Sequence, residues 1–140
     1  MTPTPRAVAD HMFAHEGAAP AWGIEIEDAG EGYARVAMTV RADMLNSHQM
    51  AHGAMVFAVA DTAFAYACNS RNTATVAQQA SIVFVSAARE GERLVAEAKE
   101  VTLAGRTGVY DIIVKAGDRV VASFQGLSRT IGGPVIASED

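Results

Sequence analysis

A single carboxylate lies in a long apolar segment of the chain. From Gly53 to Asn69 the sequence reads GAMVFAVADTAFAYACN, and Asp61 is its only charged residue. Burying an unpaired carboxylate is costly, so an acidic group here must be neutral, paired or used in chemistry. Hydrogen bonds from Thr62 or Tyr66 are the structural alternative to a catalytic role, and the sequence leaves that alternative open.

Gly53 begins this segment and offers a second chemical group. At a helix N-terminus its N–H is one of the donors without an intrahelical partner, and partial positive charge accumulates there. Such an end can hold a carbonyl oxygen that becomes negative during reaction, and a glycine lets a ligand approach closely. A plain helix-start glycine is the alternative interpretation. Asp61 follows roughly 12 Å further along the axis, so we expect Gly53 of one subunit to act with Asp61 of another.

Polar residues precede the helix. His48 and His52 have a spacing that binds zinc on helices, but they lie in a loop without an evident third ligand, so we predict no metal site. We interpret His52 as a positioning or hydrogen-bonding residue, and Asn46 as a group that polarises or orients a carbonyl. Cys68 has no adjacent histidine, which favours a buried structural thiol over a nucleophile.

The rest of the chain predicts a scaffold for one long helix, from about Gly53 to about Ser70. Because this helix is apolar almost all round, it must be buried on most sides. A short helix is expected from Arg6 to His15, a turn from Ala18 to Ala21, and a frayed tail from Gly132. Alternating patterns and short turns predict an α+β fold in which five or six antiparallel strands wrap the helix, at residues 22–27, 33–40, 73–87, 92–103, 107–115 and 120–131. We expect the outer face of this sheet to meet another subunit.

Composition narrows the class of protein. The chain has 140 residues, half of them hydrophobic, which fits one domain over the whole chain, residues 1–140. Its net charge of -5 argues against a nucleic-acid surface. One cysteine and no visible signal peptide predict a cytoplasmic protein, and the apolar run is too short for a membrane span. There is no P-loop, G-x-G-x-x-G or G-x-S-x-G motif, so nucleotide hydrolysis, NAD binding and an α/β-hydrolase are not supported.

The segment around Asp61 resembles the hotdog-fold acyl-CoA thioesterases. Their motif is a His-Gly-Gly or His-Gly-Ala step at the start of the central helix, with an acidic residue eight positions after the first glycine; here it is His52-Gly53-Ala54 and Asp61. The string LNSHQMAHGAMVFAVADTAFAYACNS, together with GVYDI and SRTIGG further on, is similar to the phenylacetate-degradation branch of that family. The similarity covers nearly the whole chain.

The resemblance implies a hotdog fold, a homodimer that forms the active site, and a tetramer made of two dimers. It implies aryl-acyl-CoA substrates such as phenylacetyl-CoA and its hydroxylated derivatives, and no cofactor beyond the CoA of the substrate. Gly53 matches the backbone donor to the thioester oxygen, and Asp61 the catalytic carboxylate supplied across the dimer. Asn46 and His52 match polar residues beside the thioester. Ala54 stands where the commoner motif has glycine, and its methyl is expected to narrow the acyl slot.

Further residues are expected to contact the substrate. Thr62 is a substrate-binding candidate, and the phosphates of CoA call for basic residues, for which the candidates are Arg89, Arg93, Lys99 and Arg106.

Two functions other than thioester hydrolysis are left open. One is a hotdog enoyl-CoA hydratase or dehydratase, which would use a His–acid pair. The other is a non-catalytic acyl-CoA-binding protein. No nucleic acid or membrane partner is expected.

Overall fold

A computed structural model describes residues 2–138 and places one long helix against one sheet. The elements, in chain order, are α1 (Pro5–Ala14), α2 (Ala18–Ala21), β1 (Glu25–Gly30), β2 (Tyr33–Thr39), a 3-10 turn (Ala42–Met44), α3 (Gly53–Cys68), β3 (Thr73–Phe84), β4 (Arg93–Ala104), β5 (Thr107–Ala116) and β6 (Arg119–Pro134). None of the helices in residues 2–138 has the length and apolar character needed to cross a membrane.

The six strands form one sheet in the order β1-β2-β4-β5-β6-β3, and all neighbours are antiparallel. This confirms the predicted α+β arrangement with its helix and antiparallel sheet. Tight turns join β4 to β5 and β5 to β6, where Gly105 and Gly117 both have φ +60°, a conformation that favours glycine. The strand that follows α3, β3, is added at the far edge beside β6, so one side of β3 has no strand partner among the described residues.

The inner face of the sheet packs around α3. In β4, Leu94, Ala96 and Ala98 are fully buried and alternate with more exposed residues that face outward. This period of two is what places one side of a strand in a core. At Gly126 of β6 the helix comes so close that an added Cβ would lie 2.6 Å from the ring of Phe64. The helix is therefore held in a fixed position relative to the sheet.

Three boundaries differ from the sequence prediction. The expected turn at 18–21 is a single helical turn, α2, and β1 begins at Glu25 rather than at residue 22. The tail predicted to fray from Gly132 is paired instead, because β6 continues to Pro134 beside Thr73 and Asn72 accepts a hydrogen bond from the Ile136 N–H at 2.8 Å. Long-range pairing of this kind leaves no local pattern in the sequence.

Candidate active site

The N-terminus of α3 presents a backbone donor without a partner. His52 is the N-cap residue, and its Nδ1 accepts a hydrogen bond from the Ala54 N–H at 3.0 Å. Its carbonyl accepts from the Met55 and Val56 N–H groups. No acceptor within residues 2–138 reaches the Gly53 N–H. This group is therefore free to bind a ligand at the positive end of the helix dipole.

Gly53 also lies directly against an aromatic ring. A Cβ built on this residue would lie 3.0 Å from Cζ of Phe84, the last residue of β3. Phe84 is 54% exposed and is absent from the residues that the sequence predicts for the site. A signal was present, since Ala80 and Ile82 pack against the core and the period of two carries the same face on to Phe84. A side chain at this position would press against the ring, so a glycine lets Phe84 keep its place beside the start of the helix.

Asn46 holds the loop before the helix. Its Oδ1 accepts hydrogen bonds from the backbone N–H groups of His48, at 2.9 Å, and Met50, at 3.2 Å. Its own N–H donates to the Met50 carbonyl at 2.7 Å. Because Oδ1 of Asn46 already accepts two hydrogen bonds, the NH₂ group of its side chain is the part that can bind a ligand. Asn46 can therefore donate to a carbonyl oxygen, as a group that orients a thioester must.

Asn46 and Gly53 line a common cavity of about 390 Å³. Its other walls come from the loop before α3, from α3 itself, from the end of β3 and from the segment after β3, with lining residues that include Met50, Val56, Phe84, Ser86 and Ala88. The volume falls within the range of small-molecule sites. We call it the helix-start cavity.

His52 and Ala54 line a neighbouring cavity of about 230 Å³, together with Met44, Leu45 and Met55. Since Nδ1 of His52 caps the helix, Nε2 is the ring nitrogen that remains for a ligand. Four of the predicted residues, Asn46, His52, Gly53 and Ala54, therefore surround the start of α3.

Asp61 is half-buried and has no hydrogen bond or ion pair with any other described residue. Both structural alternatives for it are wrong. The Thr62 hydroxyl donates to the Ala58 carbonyl at 2.8 Å, and the Tyr66 hydroxyl donates to Oε2 of Glu16 at 3.1 Å. Burial raises the pKa of the Asp61 carboxyl, because water no longer solvates the charged form fully. The Asp61 carboxyl group is therefore unpaired among the described residues, and its pKa is raised.

Asp61 lies on the least buried side of α3. Phe57, Asp61, Ala65 and Cys68 are only partly buried and recur every three or four positions, which places them on one face; we call this the open stripe. Asp61 does not line the helix-start cavity of its own chain. That separation is what the spacing from Gly53 predicts if two subunits share the site. The structure does not bring Thr62 to either place, because its side chain is 7% exposed and bonded to its own helix.

The four basic candidates lie in different surroundings. Arg93 and Lys99 pair with glutamates on the outer face of the sheet. Arg89 follows Ala88, a residue of the cavity wall, and its guanidinium has no ion-pair partner among residues 2–138. Arg106 lies in the turn between β4 and β5, at the other end of the helix. Of these four candidates, only Arg89 follows directly on a wall residue of the helix-start cavity.

Neither metal binding nor a reactive thiol finds support in residues 2–138. That range contains no group of three or more His, Cys, Asp or Glu side chains that could hold a metal ion. Burial, and to a smaller extent the charge of Asp61, raises the pKa of Cys68 to about 12, against the effect of a backbone hydrogen bond. The thiol therefore stays protonated at neutral pH and behaves as a structural residue.

Comparison with known proteins identifies the family. A model of the Thioesterase superfamily matches residues 48–123. The acyl-coenzyme A thioesterase PaaI of Escherichia coli K12 is 46% identical over 125 residues, 89% of this chain and 89% of that protein. The chain belongs to the thioesterase superfamily. A putative esterase of Archaeoglobus fulgidus is 39% identical over 120 residues, 85% of this chain and 78% of that one.

Solved structures agree with this assignment. The Escherichia coli PaaI protein of the phenylacetic acid degradation operon superposes with a TM-score of 0.91 at 44% identity, over 93% of this chain and 95% of that chain. A mutant of the phenylacetic acid degradation protein PaaI from Thermus thermophilus gives a TM-score of 0.79 at 36% identity, over 81% and 97% of the two chains. The predicted hotdog fold is thereby confirmed, and the enzyme is a thioesterase.

Proposed function

We propose that this thioesterase hydrolyses aryl-acyl-CoA thioesters, of the phenylacetyl and hydroxyphenylacetyl type, to the free acid and CoA in phenylacetate degradation. The observation that carries the proposal is a pair of unpartnered groups, the free Gly53 N–H and the half-buried Asp61 carboxylate. The first fits an oxyanion, and the second fits a nucleophile or a general base. The 46% identical Escherichia coli relative is an acyl-coenzyme A thioesterase, which supports the same substrate class here.

A homodimer completes the site. The free edge of β3 has unpaired backbone groups, and apolar side chains along it are exposed, Val83 by 64% and Phe84 by 54%. Pairing β3 with its copy about a two-fold axis buries these side chains and lays the two open stripes side by side in opposite directions. Asp61 of each subunit then faces the Gly53 end of the other. The outer face of the sheet remains for joining two dimers into a tetramer.

In this arrangement the thioester carbonyl oxygen accepts a hydrogen bond from the Gly53 N–H, with the helix dipole behind it. The partner subunit's Asp61 either attacks the carbonyl carbon or removes a proton from an attacking water. Negative charge develops on the carbonyl oxygen, and the tetrahedral intermediate collapses as the CoA thiolate leaves. Because burial raises the pKa of Asp61, activity is expected to fall on acidification at a higher pH than an ordinary aspartate would give.

The surrounding residues bind and orient the substrate. Asn46 donates from its amide to the thioester oxygen or to the amide of the pantetheine arm beside it. Nε2 of His52 offers a donor on the other side of the helix start. Arg89, which follows Ala88 of the cavity wall, attracts a phosphate of CoA, while Arg106 reaches the substrate only if the partner brings it near. No cofactor takes part in these steps.

The first test replaces the carboxylate. Asp61→Asn keeps the size of the side chain and should lower kcat at least about 100-fold on phenylacetyl-CoA, since general-base catalysis contributes at least that much. Binding of a non-hydrolysable thioether analogue, followed by calorimetry, should be retained. Asp118→Asn, in the exposed turn before β6, is the matched control and should leave kcat unchanged. Full activity of Asp61→Asn would show that the proposal is wrong.

Isotope labelling then separates the two roles of Asp61. In a single turnover in water enriched in oxygen-18, attack by the carboxylate forms an anhydride, and hydrolysis of that anhydride at the Asp61 carbonyl carbon leaves label in Asp61. Attack by water places the label in the released acid alone. Mass spectrometry of the Asp61 peptide distinguishes these outcomes.

A further inference from the structure

The connection between β3 and β4 forms one wall of the helix-start cavity. It spans residues 85–92 and contains no helix or strand; we call it the wall segment. Four of its residues line the cavity: Val85, Ser86, Ala87 and Ala88. Arg89 follows them, and its guanidinium has no hydrogen bond or ion pair with any other residue in the range 2–138.

Both ends of the wall segment are held to other strands or loops. At its start, the Ser86 hydroxyl donates to the Val120 carbonyl at 2.6 Å. Near its end, the Gly91 N–H donates to the Val40 carbonyl at 2.8 Å. The stretch between these two points carries Arg89, and its position depends on further contacts.

Arg119, the first residue of β6, supplies such a contact. Its Nη2 donates to the Ala87 carbonyl at 3.1 Å and to both carboxylate oxygens of Glu92, at 2.8 and 2.9 Å. The Glu92 carboxylate in turn accepts a hydrogen bond from the Arg89 N–H at 2.8 Å. One arginine nitrogen thus joins the cavity wall to the carboxylate that holds the backbone of Arg89.

The charges of this cluster maintain its geometry at neutral pH. The hydrogen bond from Arg119, and after it the one from the Arg89 N–H, holds the pKa of Glu92 below its usual range. The carboxylate therefore stays ionised at neutral pH and accepts both bonds as charge-assisted ones. An exposed ion pair adds little to stability. What this pair fixes is the position of the Ala87 carbonyl and of the Arg89 backbone.

The helix start is held by bonds that do not involve Arg119. The His52 N–H donates to the Met44 carbonyl at 2.8 Å, and the Ala51 N–H donates to the Ala88 carbonyl at 2.8 Å. Both bonds remain when the arginine is removed. The free donor at the helix start should then stay in place while the rest of the wall segment moves.

We propose that Arg119 is a positioning residue for CoA binding, which fixes the backbone of Arg89 so that its guanidinium is held beside the helix-start cavity for a phosphate of CoA. This inference rests on the proposed function, in which Arg89 attracts that phosphate. A cation whose backbone is already fixed loses less conformational freedom when it binds an anion, and therefore binds it more tightly. Nη2 of Arg119 is occupied by Glu92 and Ala87, so Arg119 acts through Arg89.

The test measures CoA binding by calorimetry and thiol release from phenylacetyl-CoA, both with the whole enzyme. Arg119→Ala should raise the Kd for CoA and the KM about threefold to tenfold, within the range of coupling between residues of one network. It should leave kcat nearly unchanged, because the donor at the helix start is kept. Arg119→Lys retains a cationic donor and should recover most of the affinity. An unchanged Kd in Arg119→Ala overturns the inference.

Arg6→Ala is the matched control. Arg6 in α1 likewise bonds one carboxylate and one backbone carbonyl, those of Asp10 and Ile26. Its side chain is 50% exposed, against 46% for Arg119. Its loss should change neither the Kd for CoA nor the KM, and an effect equal to that of Arg119→Ala would overturn the inference.

A double-mutant cycle tests whether Arg119 acts through Arg89. Arg89→Ala alone should raise the Kd for CoA about tenfold or more, the effect of one hydrogen bond to a charged group. Adding Arg119→Ala to this variant should cause no further loss, and losses that multiply overturn the inference. Phenylacetyl-pantetheine, a thioester without phosphates, provides a second comparison. Its KM should not respond to Arg119→Ala, and an equal rise in KM for both thioesters overturns the inference.

Glu92→Gln protects the test against a folding defect. It keeps the size of the side chain, removes the charge between Arg119 and Arg89, and should raise the Kd for CoA in the same direction. If Arg119→Ala does not fold, Glu92→Gln decides, and an unchanged Kd overturns the inference. CoA binding that depends on Arg119 without hydrolysis of phenylacetyl-CoA would uphold the inference and contradict the proposed substrate. If the wild type neither binds CoA nor releases thiol from phenylacetyl-CoA, the proposed function itself is wrong.

Discussion

The two ends of α3 are built in opposite ways. At the C-terminal end, Asn69 donates from Nδ2 to the carbonyls of Ala65 and Thr75, at 2.9 and 3.0 Å, and its Oδ1 accepts from the Thr75 N–H at 2.9 Å. At the N-terminal end His52 caps the Ala54 N–H, and the Gly53 N–H beside it is left free. One end ties the helix to β3, and the other leaves a donor for a ligand.

This difference indicates that the C-terminal end of α3 contributes to stability, whereas the N-terminal end leaves a polar group unpaired for function. Each buried polar group that finds its partner adds a modest amount to stability, whereas an unsatisfied one costs more than it would gain. The closed end at Asn69 therefore supports the helix, and the open end at Gly53 can remain unsatisfied. Substitutions at the two ends should accordingly change different quantities.

The largest effect is expected from removing the free donor. Proline is tolerated at the first position of a helix, and His52 already has the extended backbone, φ -61° and ψ 138°, that must precede a proline. Gly53→Pro therefore deletes the N–H and can keep the helix. We expect kcat to fall about 100- to 1,000-fold, as on loss of one oxyanion donor, in steady-state assays of thiol release.

Gly53→Ala is the control for this experiment, since it adds the same Cβ against Phe84 but keeps the N–H. It should lose activity to a smaller extent, and replacing Phe84 with leucine should restore part of that loss. Equal losses in Gly53→Pro and Gly53→Ala would mean that crowding by the ring, and not the donor, controls the rate.

At the closed end the expected effect is on stability. Asn69 is 5% exposed, so Asn69→Ala leaves the Thr75 N–H and two carbonyls without its side chain. The free energy of unfolding should fall by about 2–4 kcal/mol, measured in urea at a fixed protein concentration because a dimer is expected. The kcat of the protein that remains folded should stay near that of the wild type. A large loss of kcat at unchanged stability would contradict the contrast between the two ends.

Local patterns in the sequence predicted much of the fold. Alternation located the strands, and the change to a long apolar run located α3, with its start at Gly53 correct to the residue. The same reasoning placed Asp61 too far from Gly53 for one chain, which the separate positions of the two groups bear out. These features follow from helix rise and from periods of two and 3.6 residues, all of which are local.

The parts that escaped prediction depend on contacts between distant segments. Phe84 reaches Gly53 only because β3 folds back along the helix, and a cavity at the C-terminal end of α3 collects residues from α3, β3, β4, β5 and β6. Thr62 lies outside both cavities at the helix start for a different reason. Its hydroxyl satisfies itself on the carbonyl one turn earlier, so a polar residue in a helix need not face a ligand.

The smallest expected effect separates two roles of His52, which caps the helix and also offers Nε2 to the substrate. His52→Ala should lower the free energy of unfolding by about 1 kcal/mol through loss of the cap. His52→Asn should recover that stability, because asparagine is among the best N-cap residues. If Nε2 contacts the substrate, His52→Asn will still show a several-fold lower kcat/KM in thiol-release assays. If His52→Asn restores both stability and kcat/KM, the histidine acts only as a cap, and the ligand-binding role of the open end belongs to Gly53 and Asn46.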